Sequence, residues 1–316
     1  MENVIDPISK ELILKELTEE RFLRKTNKGG NEIYIVTHHN APNTMLEIGR
    51  LREIAFRDAG GGTGHSVDID EYDTMENPFF QLLVWNPDAL EIIGGYRFMY
   101  GDEINFDEHG HPLLATAHLF NMSDKFLKEY MPYTVELGRS FVTLEYQSSK
   151  AGAKALFALD NLWDGLGALP KIKPNIHYYF GKVTMYPNYH KGARDMILRF
   201  WNKYFPDADK LVYPITPIVP HWDTDVAELD KMFSAGTFKE DYKILNQEVR
   251  KLGLNIPPLV NAYMSLSPTM RVFGTAVNDE FGDVEETGIL IKIDEIFIEK
   301  RIRHMDTFYE FLKKSF

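Results

Sequence analysis

Strand-type and helix-type segments alternate along this chain instead of falling into separate blocks, and that interleaving limits the fold more than any other feature. Short runs rich in aromatic and β-branched residues predict strands at Ile33–Thr37, Phe80–Trp85, Glu91–Tyr100, Thr134–Thr143 and His177–Met185. Helical spacing falls between them. Over Met45–Arg57, Ile48, Arg52 and Phe56 recur every fourth residue and share one face. A long helix is predicted over Ala151–Leu169, with Leu159, Leu162, Leu166 and Leu169 as its apolar side, and another over Ala193–Phe205. A polar leader helix is expected from Lys10 to Arg24, and short helical turns within His118–Lys128. Interleaved elements of this kind imply a layered fold of the mixed α/β (α+β) class.

The proline-rich run Tyr213-Pro-Ile-Thr-Pro-Ile-Val-Pro220 is the best candidate boundary. Past it, helices are expected at Lys239–Leu252, after Pro257-Pro258 and at Arg301–Lys314, and strands at Arg271–Val277 and Thr287–Ile293. The chain therefore reads as a core, 1–212, with an extension, 213–316, packed on it.

With 44% hydrophobic residues, including 21 Phe and 16 Tyr among 316, the chain has ample material for a core and too much apolar surface for disorder. It has no cysteine, which excludes disulfides, a thiol nucleophile and cysteine-ligated zinc. No run of about 18 apolar residues occurs, and the first residues carry acids where a signal peptide needs bases. A cytoplasmic location is expected, with peripheral contact to the inner face of the membrane left open. A net charge of −12 argues against general nucleic-acid binding, which depends on a basic face. The charge is uneven, however. Lys150, Lys154, Lys171, Lys173, Lys182, Lys191, Arg194, Arg199 and Lys203 cluster in one segment, a composition that suits either an anionic partner or a solvated surface.

Several motifs fail on inspection. The glycines at 60–62 lack the Gly-Lys-Ser/Thr ending of a nucleotide loop. Asp68-Ile-Asp70-Glu-Tyr-Asp73 resembles a calcium loop only until Tyr72 and Asp73, which stand where a ligand and a glycine are required. His109 and His111 lie in a Gly/Asp/Pro turn, so no metal is expected there.

The informative pattern is spread over four stretches: Leu51-Arg-Glu-Ile-Ala-Phe56, Asp70-Glu-Tyr-Asp73, Gly94-Gly-Tyr-Arg97 and Val135-Glu-Leu-Gly-Arg-Ser-Phe-Val142. In this order they resemble the acyl-homoserine lactone synthases and, more closely, the ornithine- and glycine-lipid N-acyltransferases, often labelled hemolysin-like, of the GNAT superfamily. Ile256-Pro-Pro-Leu-Val-Asn-Ala-Tyr263 and Asn278-Asp-Glu-Phe-Gly282 also look like the lipid branch. The likeness runs from about Met45 to Ile296. Arg52, Phe56, Asp70, Asp73, Arg97, Glu136 and Arg139 fall on matching positions. Two departures stand out. The tryptophan of the lactone branch between Phe56 and Asp70 is absent. The pyrophosphate loop of coenzyme A-dependent enzymes survives only in degenerate form, as Gln147-Ser-Ser-Lys-Ala-Gly-Ala153.

The resemblance implies a GNAT acyltransferase fold with no bound cofactor. It further implies transfer of a (3-hydroxy)fatty acyl group from acyl carrier protein, or acyl-CoA, to the α-amine of a small amino acid, glycine or ornithine. Rival readings are a signal synthase of the lactone type and a non-catalytic lipid-binding protein. In the leading reading Glu136 accepts the amine proton, and Arg139 anchors the acceptor carboxylate or fixes Glu136. Arg52, Asp70, Asp73 and Arg97 form a charged network on the acceptor side, and Phe56 lines the acyl pocket. The amides near Gly152, with Lys150 and Lys154, receive the carrier's phosphate. Positions 136 and 139 face opposite ways in a regular strand, so a β-bulge at Leu137-Gly138 is expected to bring them together.

Overall fold

The computed structural model describes residues 1–147, 157–218, 223–309 and 311. Ten strands appear: β1 (Phe22–Lys25), β2 (Glu32–Val36), β3 (Phe80–Asn86), β4 (Glu91–Tyr100), β5 (Phe120–Met122), β6 (Thr134–Val142), β7 (Tyr178–Met185), β8 (Val212–Pro214), β9 (Arg271–Asn278) and β10 (Val284–Lys292). Eight of them form one sheet in the order β1-β2-β3-β4-β6-β7-β10-β9, while β5 and β8 pair separately.

Every neighbouring pair in the large sheet is antiparallel except β6 and β7, which run parallel at its centre. Their register lasts only from Thr134↔Tyr178 to Leu137↔Gly181, although β6 continues to Val142 and β7 to Met185. At the last pair the backbones touch: a Cβ on Gly181 would collide with the Leu137 carbonyl. Beyond it the two strands part, and a fork opens in the middle of the sheet.

Helices cover both faces. Pro42–Ala59 starts with Pro42 in its first turn, carries Met45, Ile48 and Phe56 at helical spacing, and stops at Gly60, whose φ of 98° suits only glycine. Its apolar stripe packs on Leu83, Trp85 and Phe141. The opposite face is buried beneath Ala158–Leu166, where Leu162 and Leu166 meet Leu82, Tyr96 and Tyr179. A third apolar group, Met99, Phe120, Phe126 and Phe180, fills the space beside the fork. No helix among the described residues is long and apolar enough to cross a membrane.

Three expectations need correction. The leader helix ends at Glu16, and Phe22–Lys25 is a strand, because Phe22 finds a cross-strand partner in Tyr34 that no local pattern announces. The described part of the Ala151–Leu169 helix begins at Ala158 and breaks after Leu166, where Gly167 presses on the His304 carbonyl and Pro170 opens a new turn, Leu169–Ile172. The third concerns residues 213–316. They are not simply packed on the core, since β10 pairs with β7 over eight residues and carries β9 as the sheet edge.

Candidate active site

A cavity of about 600 Å³ fills the fork and passes through the sheet. On one side it is polar, bounded by Arg97, Glu136, Arg139, Lys182 and Glu286; on the other, Tyr96, Tyr146, Leu159, Pro257 and Tyr263 make it apolar and aromatic. A volume in the usual range for small-molecule sites, with few charged groups converging on an apolar space, marks this cavity as the candidate binding site.

Local chain geometry delivers the polar side. Between β4 and β6 the register slips: Gly95 pairs with Phe141, but Arg97 pairs with Gly138, so β6 holds one extra residue. The bulge lies at Arg139-Ser140, not at Leu137-Gly138, and Arg139 itself takes the left-handed φ of 47°. Its side chain consequently turns to the face of Gly138. The contacts prove it, because Arg97, the partner of Gly138, and Arg139 both reach Asp70, at 2.5 and 3.4 Å. Glu136, two residues before Gly138, shares that face by strand alternation.

Around these arginines a closed network forms. Arg97 also pairs with Asp73 at 3.2 Å, Arg139 with Asp68 at 3.0 Å, and Arg52 with Asp73 at 3.3 Å. Gln81 ties the last pair, accepting from Arg52 and donating to Asp73 at 2.8 Å. Three guanidinium groups thus face three carboxylates, Arg52, Asp68 and Asp73 being fully buried. Burial alone would raise the Asp70 carboxyl, but Arg97 and Arg139 outweigh it and hold it well below the usual range. Asp68 belongs to this network although the sequence singled it out only inside the rejected calcium motif. Arg139 is committed to Asp68 and Asp70 and stacks on Phe281 at 4.6 Å, so it does not fix Glu136 directly. Phe56 packs edge-on against the same Phe281 at the cavity wall.

Glu136 stands apart from that network. It is 3% exposed and accepts from the Thr116 backbone N–H at 2.8 Å, the Thr116 hydroxyl and the Ala115 N–H at 3.3 Å. Burial raises its carboxyl, and the opposing pull of Thr116, Lys182 and Arg97 does not cancel the effect. A second buried carboxylate, Glu286, behaves in the opposite way. Burial raises it too, but Lys182, 2.7 Å away, brings it below the ordinary value. One cavity therefore holds two acids pushed apart, the arrangement that separates a proton acceptor from a fixed anion.

Lys182 and Glu286 were missed as site residues. Lys182 is the only cation of His177–Met185 and could have been flagged for that. Instead it was counted in the basic segment, and the structure revises the reading of that segment. Lys171, Lys173, Lys182, Arg194, Arg199 and Lys203 each pair with a carboxylate of this same chain. Lys150, Gly152 and Lys154, the expected phosphate contacts, lie outside the described residues.

A mixed sheet whose parallel strands fork around such a cavity defines an acyltransferase of the GNAT class, and the family described as Acetyltransferase (GNAT) domain matches residues 51–156. Two full-length relatives refine this. A protein of Phocaeicola vulgatus named glycine N(alpha)-acyltransferase is 68% identical over 98% of this chain and 94% of its own length. A protein of Bacteroides thetaiotaomicron with the same name is 67% identical over 98% of this chain and 91% of its own. The chain belongs to this family of N-acyltransferases, and the reading as a non-catalytic lipid-binding protein falls. Among solved structures, the CoA-dependent acyl-homoserine lactone synthase BjaI, with SAM and isopentyl-CoA, aligns over 89% of both chains at 10% identity and a TM-score of 0.36.

Proposed function

We propose that this enzyme joins a fatty or 3-hydroxy-fatty acyl group to the α-amine of glycine, the donor being a thioester of acyl carrier protein. The observation that carries the chemistry is Glu136, buried at the fork with a raised carboxyl, beside the place where β6 and β7 lose their pairing. A base must lie near the working pH to take a proton efficiently, and burial moves a glutamate in that direction.

The acceptor nitrogen attacks the thioester carbonyl carbon. The C–N bond forms, the C–S bond breaks, and the carrier thiol leaves. An amino acid arriving as an ammonium loses two protons in all: Glu136 takes the first, directly or through water, and passes it to solvent, while the second ends on the departing thiol. The backbone edge of β6 beyond Leu137 no longer meets β7, so its N–H groups suit the developing oxyanion. The closed arginine–aspartate network supports Glu136 by fixing the bulged strand.

Glycine is favoured over ornithine by the names of the two relatives. The degenerate loop Gln147–Ala153 favours the carrier protein, whose arm brings one phosphate, over the diphosphate of coenzyme A. The product is a single-chain amphiphile, which fits peripheral contact with the membrane.

Purified protein offered acyl carrier protein or CoA thioesters, with glycine or ornithine, tests this by mass spectrometry. N-acylglycine formed faster from the carrier protein is the expected result. Absence of any amide from all four pairs overturns the proposal.

A further inference from the structure

We infer that Lys182 and Glu136, spaced by the backbone of Ala115, form a binding site for the zwitterion of an α-amino acid, with Lys182 receiving its carboxylate. The inference deepens the proposed reading of the site and rests on it. Ala115 donates its N–H to Glu136 at 3.3 Å and offers its carbonyl oxygen to the Lys182 ammonium at 3.2 Å. A single residue thus holds an anion and a cation side by side on the cavity wall, the mirror of an ammonium and a carboxylate borne on one carbon.

Among the described cations that line the cavity, Lys182 is the one paired with a single carboxylate. Arg97 and Arg139, which also face the cavity, are each shared between two aspartates. An ammonium has three donor protons, and for Lys182 Glu286 and the Ala115 carbonyl account for two. That carbonyl also meets His118 Nδ1 at 2.7 Å, which holds it in place. Glu286, kept ionised by Lys182 and bonded by Asn278 at 3.1 Å and Thr184 at 3.3 Å, acts as the positioning residue that aims the ammonium. Charge also favours a zwitterion. The network on β4 and β6 is balanced, and Lys182 faces Glu136 and Glu286, so the polar side already carries one excess negative charge that a bare carboxylate would deepen and a neutral zwitterion does not.

The test compares glycine with glycinamide, the same amine without its carboxylate, in the wild type and in Lys182→Met. The readout is the ratio of kcat/KM for the two acceptors, whatever the absolute rates. A charge-assisted contact to a carboxylate predicts that the ratio falls at least about tenfold in the variant, chiefly through the KM for glycine. Lys182→Met/Glu286→Gln removes both charges together and supplies the comparison if the single variant does not fold. An unchanged ratio overturns the inference, and so does an equal loss on both acceptors, which would assign Lys182 to the oxyanion instead. Failure of the wild type to acylate glycine at all would count against the proposed function, a separate result.

Discussion

The arginine–aspartate network around β4 and β6 and the Lys182–Glu286 pair on β7 and β10 lie on one face of one sheet, both largely buried, yet they differ in how their charges balance. In the network every guanidinium meets carboxylates from the 68–73 segment, and Arg97 and Arg139 take two each. At the fork a single ammonium serves Glu286 and a carbonyl while Glu136 leans on neutral donors. Charges matched one for one hold the bulge of β6 in shape. At the fork one cation faces two carboxylates on the cavity wall, where the proposed acceptor would meet them. The same residue types form a balanced set in one place and an unbalanced one elsewhere on the wall of the same cavity, and the difference is charge count.

That contrast can be broken from the balanced side first. Arg97→Met leaves Asp70 and Asp73 short of a partner inside the protein, and a loss of about 3–5 kcal/mol in denaturant unfolding is expected. Stability within about 1 kcal/mol of wild type would mean that water reaches the network. The next largest effect concerns space in the fork. A Cβ on Gly138 would touch nothing within 4 Å, so Gly138→Leu should fold normally and fill the cavity. Acyl transfer should fall by at least about tenfold, on the scale of a misplaced reactant. A folded variant with undiminished transfer would move the thioester elsewhere.

Glu136→Gln sharpens the comparison through stability. Because folding raises the Glu136 carboxyl, the fold favours its protonated form, a contribution present at low pH and lost as pH rises through the raised value. Glutamine carries no such loss. The variant's melting temperature relative to wild type should therefore climb by a few degrees from acid to neutral pH, and a constant difference would contradict the assigned direction. The smallest effect is expected outside the cavity, where Arg199 and Asp230 pair in partial contact with water; Arg199→Ala should cost under about 1 kcal/mol.

Much of this architecture could be read from local pattern. Runs rich in aromatic and β-branched residues place β3, β4, β6 and β7 within a residue or two, and helical spacing places Pro42–Ala59, because these signals lie within each element itself. The stretch Glu-Leu-Gly-Arg-Ser also led to the bulged strand, although the extra residue proved to be Arg139 itself. What escaped depends on distant partners. β1 needs Tyr34 to be a strand, and Glu286 becomes a cavity wall only because β10 lies beside β7, about a hundred residues earlier in the chain. The basic segment misled for the same reason: its acids, among them Asp230, Asp241, Glu285 and Asp306, are supplied by other parts of the chain.

The central claim is that a buried glutamate at the fork takes the proton of the incoming amine. Single-turnover amide formation from a loaded thioester at saturating glycine, followed from pH 5 to 9 in the wild type and in Glu136→Gln, tests it most directly. The wild type should lose rate on the acid side with a midpoint above the ordinary glutamate value, and the variant should be slower by about 10²–10⁴-fold with that limb gone. A folded Glu136→Gln that keeps the wild-type rate and the same acid limb would contradict the account.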